Sequence, residues 1–96
     1  MQARTSTWSG SPEAIERWVE HVTTNVKPMV AGLAGNAGAY FFVDRANNRA
    51  LTLTLWDSTE AAALSDQTAD ASRARTVAAT GIELVERGAY EVVAHA

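Results

Sequence analysis

Residues Ala39–Ser58 read AYFFVDRANNRALTLTLWDS, the pattern of a β-hairpin with a helix start attached. The first half, Tyr40–Val43, is apolar at every position, which predicts a strand buried on both faces. The second half alternates leucine with threonine, a period of two that is typical of a strand with two different faces. The asparagines between the halves suit a tight turn, because asparagine tolerates left-handed backbone. The stretch therefore predicts a hairpin with leucines on one side and Thr52, Thr54 and Trp56 on the other.

The residues before the hairpin predict a strand and then a helix. Ala3–Trp8 is rich in threonine and is interpreted as the strand. Ser11-Pro12-Glu13 predicts the helix start, since it offers a hydroxyl cap, a proline at the first position and an acid in the first turn. Pro28 disfavours helical backbone at Lys27, so we expect the helix to kink or end there.

The residues after the hairpin predict a second helical region and a last strand. Asp57 is the predicted cap of this region, with Glu60 reaching back to the cap. We expect one helix to about residue 68 and a second piece from about residue 70 to residue 79. The last strand is predicted from Ile82 to Ala96, with an interruption near Gly88, where a bulge would let the chain bend.

This order, β-α-β-β-α-β, predicts a single domain over residues 1–96 with a ferredoxin-like α+β sandwich fold and a four-stranded antiparallel sheet. Right-handed crossovers place both helices on one face of the sheet. The leucines of the hairpin then lie on the other face, where they would form an exposed apolar patch. We therefore expect a homodimer that packs sheet against sheet.

The composition excludes several classes of function. The chain has 96 residues, a net charge of −3 and eight basic residues, a poor match to a nucleic-acid-binding protein. It has no cysteine and only two histidines far apart, so no metal or bound cofactor is expected. No apolar run approaches the ~20 residues that cross a membrane. We expect a soluble cytoplasmic protein.

The pattern resembles the antibiotic-biosynthesis-monooxygenase-like branch of the dimeric α+β barrel superfamily. The resemblance lies in the glycine-rich approach Gly35–Tyr40, in the hairpin, and in the step from strand to helix at Trp56–Ala61. It implies that two subunits form a dimeric α+β barrel, with a cavity in each subunit between the helices and the sheet. Some members oxidise polycyclic aromatic phenols in that cavity without metal or flavin. Trp56 matches the family's cavity tryptophan.

The sequence also departs from that family at positions that carry chemistry. Thr52 and Ala62 stand where the cofactor-independent oxygenases of this type have an asparagine and an aromatic hydroxyl. Ser65, Asp66 and Gln67 stand where haem-degrading members have their proximal histidine. Neither mechanism therefore has its usual groups, and no specific axial ligation of haem is expected.

The candidate site follows from the resemblance and from the predicted faces. We expect the ligand-binding residues to be Trp18, Asn25, Thr52, Thr54 and Trp56. The candidate catalytic residues are His21, Tyr40 and Trp56, with His21 or Tyr40 handling protons. Each has a simpler alternative: Trp56 as packing, the threonines as ordinary strand residues, His21 as a solvated helix residue and Tyr40 as core.

Two functions remain open from the sequence. The first is a small-molecule enzyme resembling cofactor-independent monooxygenases, acting on an aromatic or polyketide-like compound. The second is a non-catalytic homodimer that binds a small apolar ligand or a protein partner. The matched architecture and Trp56 make the first function the leading hypothesis, while the missing catalytic positions and the alanine-rich second helical region support the second.

Overall fold

The computed structural model describes all 96 residues, and its strands and helical regions follow the order β-α-β-β-α-β. They are β1 (Gln2–Ser9), α1 (Pro12–His21), a π-helical turn (Val22–Val26), α2 (Lys27–Ala31), β2 (Asn36–Asp44), a short 3₁₀ turn (Arg45–Asn47), β3 (Arg49–Trp56), α3 (Thr59–Thr80) and β4 (Glu83–Glu91). The strands form one antiparallel sheet in the order β2-β3-β1-β4. The predicted ferredoxin-like α+β fold is confirmed.

The hairpin of β2 and β3 has the two different faces that its sequence predicts. In the turn, Asp44 accepts a hydrogen bond from the backbone of Asn47, and Asn48 is left-handed with φ 53°. Val43 packs against the core under the helices. On the opposite face, Tyr40 and Phe42 are 57% and 46% exposed. The prediction that this strand is buried on both faces is therefore not met within one chain.

The first helix starts as predicted and continues past its proline. Ser11 Oγ accepts a hydrogen bond from the Ala14 backbone N–H, and Pro12 is the first helical residue. Instead of ending near Lys27, the helix widens into the π turn and then continues as α2 to Ala31. The wide turn ends at Val26, two residues before Pro28, which cannot donate a backbone hydrogen bond. The helix thus absorbs the proline by changing its winding.

The second helical region differs from its prediction in two ways. It is one continuous helix of 22 residues with no break near residue 69. Its N-cap is Ser58, whose Oγ accepts from the Ala61 backbone N–H at 3.0 Å, and not Asp57. The reason is that the backbone of Ser58 is still extended, so the helix starts one residue later than predicted.

The last strand also differs from its prediction. β4 ends at Glu91, and the residues after it have no regular structure. The register shift against β1 lies near Val85, between the pairs Thr7–Glu86 and Trp8–Leu84, while Gly88 pairs regularly with Thr5. The predicted interruption at Gly88 is therefore wrong. Glycine there has a different use, since an added Cβ would lie 2.5 Å from the Tyr90 ring.

The core of the domain lies between α1 and the sheet. Its buried residues are Trp8, Ile15, Trp18, Val22, Ala50 and Ile82. The residues that α3 buries are all small, namely Ala62, Ser65, Ser72, Thr76 and Thr80. Small side chains fill little of the space between α3 and the sheet, so a cavity remains there. None of the helices combines the length and apolar character that a membrane-spanning segment requires.

Candidate functional site

A cavity of about 410 Å³ lies between the helices and the covered face of the sheet. Its floor is made of alternate residues of two neighbouring strands, which share one face because side chains alternate along a strand. From β1 these are Arg4, Ser6 and Trp8, and from β3 they are Thr52, Thr54 and Trp56. The strand pattern that the sequence predicted for β3 therefore forms one wall of the cavity.

The helices supply the other two walls, which differ in chemistry. The wall from α3 is small and polar, with Ser65, Ala69, Ser72 and Thr76. The wall that starts at α1 is apolar, with Trp18, Val22, Val26, Met29, Val30 and Leu33. A bound molecule would therefore contact one apolar wall and one wall rich in hydroxyl groups.

Three buried tryptophans surround the cavity, and two of their indole groups are hydrogen-bonded. Trp56 Nε1–H donates to Thr54 Oγ1 at 2.9 Å, and Trp8 Nε1–H donates to Thr52 Oγ1 at 3.3 Å. Trp18 Nε1 is buried and has no hydrogen-bond partner in the chain. The two threonines thus orient two of the large flat side chains, while the third stands edge-on to Phe41.

Two of the hydroxyl groups on the α3 side already donate to carbonyls of the helix. Ser65 Oγ donates to the Ala62 carbonyl at 2.6 Å, and Thr76 Oγ1 donates to the Ser72 carbonyl at 2.9 Å. These bonds satisfy buried polar groups that would otherwise destabilise the fold. Thr52 Oγ1 accepts from an indole and donates to no group in the chain, so its proton is free for a ligand.

Two ion-paired clusters line the cavity where α3 faces β1 and β4. Arg4 Nε lies 3.2 Å from Asp66 Oδ1. Asp70 Oδ1 contacts two guanidinium groups, those of Arg73 on its own helix and Arg87 on β4, the latter at 3.2 Å. The side chains of Asp66, Asp70 and Arg87 are 53–64% exposed, so these clusters mark the mouth of the cavity.

The structure brings four of the predicted ligand-binding residues together. Trp18, Thr52, Thr54 and Trp56 all line the cavity. Asn25 does not; it is exposed, and its side-chain amide lies 3.3 Å from the ring nitrogen Nδ1 of His21.

Two of the candidate catalytic residues also lie outside the cavity. His21 is next to Asn25 on the outer side of the first helix. Tyr40 is on the opposite face of the sheet, where its ring stacks on Phe42 with 6.0 Å between the centroids. Trp56 is therefore the one candidate catalytic residue that can contact a molecule in the cavity.

Several lining residues were not predicted from the sequence. Arg4 and Trp8 share a face with Ser6 at a spacing of two, a signal that the strand pattern of β1 contained. Arg73 and Arg87 are connected only through their shared partner Asp70, and no spacing pattern in the sequence predicts that connection. No group of three or more histidine, cysteine, aspartate or glutamate side chains is placed to hold a metal ion.

Comparison with solved structures identifies proteins of the same fold. A protein from Deinococcus radiodurans, assigned as an antibiotic biosynthesis monooxygenase, superposes with a TM-score of 0.72 at 16% identity, over 100% of this chain and 96% of that one. A monooxygenase from the ActVA-Orf6 gene of Streptomyces coelicolor, in complex with nanaomycin D, gives 0.70 at 14% identity, over 99% and 91%. SnoaB, a cofactor-independent oxygenase from Streptomyces nogalater, gives 0.65 at 13% identity, over 98% and 94%.

No family model matches the sequence, and no curated protein matches it. The structural neighbours of this chain are thus antibiotic biosynthesis monooxygenase-like proteins with a ferredoxin-like fold. At these identities the likeness concerns the fold. The predicted resemblance is confirmed at that level.

Proposed function

We propose that this protein binds a flat aromatic, polyketide-like compound in the cavity and oxidises it with molecular oxygen. The observation that carries the proposal is the ring of buried tryptophans, Trp8, Trp18 and Trp56, around a cavity of about 410 Å³. That volume falls within the ~300–1,000 Å³ typical of small-molecule sites. Indole surfaces favour flat aromatic molecules, because both offer large apolar faces that stack. The neighbours in fold that are oxygenases add support.

The proposed reaction converts a ring methylene of a phenolic substrate into a ketone. One atom of O₂ forms the new carbonyl, and the other leaves as water with the two methylene hydrogens, so the substrate supplies all the electrons. The roles assigned to the chain are contact of Trp56 with the aromatic rings and donation by the Thr52 hydroxyl to a substrate oxygen. His21 and Tyr40 are given no proton-transfer role, since neither lines the cavity.

We also propose that two copies pair through the open faces of their sheets. That face carries Tyr40, Phe42 and the half-buried leucines of β3. In water these side chains form an apolar patch, and because each is already about half buried, covering the rest stabilises an assembly by roughly half of the ~1.5–3 kcal/mol of full burial. A second copy offers the same surface, so a two-fold pair buries both patches at once.

The test of the reaction is oxygen uptake with anthrone as substrate. We expect consumption of O₂ above the spontaneous rate, with anthraquinone identified as the product by mass spectrometry. Trp56→Phe should lower the rate at least several-fold, whereas Leu64→Ala, on the exposed side of α3, should leave it unchanged. Anthrone is oxidised slowly without protein, so each rate is compared with a heat-denatured sample. Uptake equal to that background would overturn the proposed reaction.

The second candidate function is binding without chemistry. It is favoured by the absence of histidine and tyrosine from the cavity lining, and by the ion pairing of both carboxylates at the mouth. A general base needs a free group within reach of the proton it removes. Native mass spectrometry with anthrone under air separates the two functions, because a binding protein retains the compound but oxidises no more of it than a heat-denatured sample does.

A further inference from the structure

Arginine is concentrated at the mouth of the cavity. Three of the eight basic residues of the chain, Arg4, Arg73 and Arg87, line it, although the chain as a whole carries a net charge of −3. They face only two carboxylates, Asp66 and Asp70. The mouth therefore keeps one positive charge in excess, on an otherwise acidic protein.

Two of the three arginine side chains are less exposed than the carboxylates that pair with them. The side chains of Arg73 and Arg4 are 19% and 24% exposed, against 64% for Asp70 and 53% for Asp66. A molecule inside the cavity thus meets Arg4 and Arg73 before their carboxylate partners, while Arg87, 60% exposed, lies at the outer edge of the mouth. Attraction between charges is stronger inside the cavity than in open water, because the surrounding protein lowers the local dielectric constant.

Most of the hydrogen-bond donors of these arginines are unused. A guanidinium group has five N–H donors in a fixed fork. Arg73 donates to Asp70 through Nη2 alone, and Arg87 donates to the same oxygen through Nη1 alone. Two like charges are thereby held against one carboxylate oxygen. A second anion placed between them would use the free donors and reduce their mutual repulsion.

We infer that the ligand of this cavity is an aromatic acid, whose carboxylate is bound at the mouth by Arg73 and Arg87 while its rings lie among the tryptophans. The inference rests on the proposed binding of an aromatic compound and adds its chemical class. Arg4 lies on the neighbouring side of the mouth, because its partner Asp66 is one helical turn from Asp70. The site recognises charge at one end and flat apolar surface at the other.

The test uses two probes of nearly equal shape, anthraquinone-2-carboxylate and the neutral anthraquinone-2-carboxamide. Binding to the full chain is measured by isothermal titration calorimetry at low salt. We expect the acid to bind about tenfold more tightly than the amide, the size of one charge-assisted contact. Raising the salt concentration should weaken binding of the acid and leave binding of the amide unchanged, since salt screens exposed charges.

Variants of α3 and β4 test both the direction and the size of the expected change in affinity. Arg73→Gln or Arg87→Gln removes one charged contact, so the affinities for the acid and the amide should then differ by no more than about twofold. The affinity for the amide itself should change little. Asp70→Asn should have the opposite effect and tighten binding of the acid, because it removes the carboxylate that pairs with the guanidinium groups of Arg73 and Arg87. Arg75→Gln is the matched control, since Arg75 is exposed on the same helix and does not line the cavity.

Equal affinity of the wild-type chain for acid and amide would overturn the inference, while the proposed binding of aromatic compounds would stand. Loss of both probes in Arg73→Gln, with the fold intact by circular dichroism, would assign the arginine a structural role and also overturn it. Binding of neither probe by the wild-type chain would remove the inference together with the proposed function.

Discussion

Trp56 donates its indole N–H to the hydroxyl oxygen of Thr54, two residues earlier on the same strand, at 2.9 Å. Trp18 is buried to the same degree but its N–H has no partner. Phenylalanine at either position removes a similar volume, yet only Trp56→Phe also removes a hydrogen bond. We expect Trp56→Phe to lower the free energy of unfolding by about 1 kcal/mol more than Trp18→Phe. Urea denaturation of both variants checks this, and equal losses would contradict it.

A substitution on the open face of the sheet should change dimer formation without changing the fold of the subunit. Phe42 is 46% exposed in the single chain, so Phe42→Lys should leave the fold of the subunit intact. In a sheet-to-sheet dimer the lysine would be buried without a partner, and we expect the variant to be a monomer at micromolar concentration. Light scattering after size-exclusion chromatography measures the mass.

The control for this variant is Leu64→Lys, since Leu64 is 72% exposed on α3, away from the open face. We expect it to keep the oligomeric state of the wild type. A wild-type chain that is already a monomer, or a Phe42→Lys dimer, would contradict the proposed pairing.

The loop before β2 depends on one glycine. Gly35 has φ +80°, and a Cβ added there would lie 2.4 Å from Ala61 Cβ and 3.0 Å from Asp57 Oδ1. Its carbonyl also accepts the backbone N–H of Asp57 at 2.9 Å, which fastens the loop to the start of α3. Backbone strain and steric overlap add, so Gly35→Ala should lower the free energy of unfolding by about 2–4 kcal/mol.

Gly32 provides the matched control for that substitution. Its φ is −87°, and the nearest atom to an added Cβ is 3.6 Å away, an ordinary contact. Gly32→Ala should be neutral or raise the free energy of unfolding by up to about 1 kcal/mol, because alanine restricts the unfolded chain. Thermal melts of the two variants compare the positions directly, and similar melting temperatures would contradict the strain at Gly35.

The ion pair between α1 and the hairpin turn predicts a dependence on pH. Arg45 donates to the Glu16 carboxylate at 2.6 Å, and this hydrogen bond lowers the pKa of Glu16 below its ordinary value. Because the pKa of Glu16 is lower in the folded chain than in the unfolded chain, the ion pair stabilises the fold fully at a pH above the unfolded-state pKa of Glu16. This stabilisation is lost as the pH falls through the folded-state pKa of Glu16. The effect is small, because both groups are exposed.

Carbon-detected NMR of the Glu16 carboxyl group measures that pKa. Arg45→Gln should raise it towards the ordinary value, and Arg49→Gln, in the next strand, should leave it unchanged. A titration of Glu16 that is the same in wild type and Arg45→Gln would contradict the pairing.

The sequence was sufficient for the fold because its strongest signals are local. The leucine–threonine alternation of β3 decides which side chains face the helices, and the structure places Thr52, Thr54 and Trp56 on that face. The cap at Ser11 and the turn at Asn48 likewise depend on residues only a few positions apart. Local backbone preferences of this kind can be recognised without knowledge of distant contacts.

The cavity was harder to predict, because it depends on what distant elements leave unfilled. The alanine-rich helix α3 looked unsuited to a site, yet its small inward side chains create the space. His21 and Asn25 were expected near Trp18 from ideal helical spacing. The apolar wall follows Val22 and Val26 instead, and the π turn that begins at Val22 shifts Asn25, which lies within it, but does not account for His21, which precedes it. The arginine cluster likewise depends on a contact between two elements, since Asp70 of α3 and Arg87 of β4 are 17 positions apart in the sequence.

The cavity lies on the helix-covered face of the sheet, whereas the proposed pairing uses the open face. In a paired molecule we therefore expect each subunit to bind its ligand without side chains from its neighbour. Two defective chains with different pocket substitutions should not complement each other when mixed. A heterodimer of one intact and one defective chain should hold one molecule of ligand and work at half the rate of the intact pair.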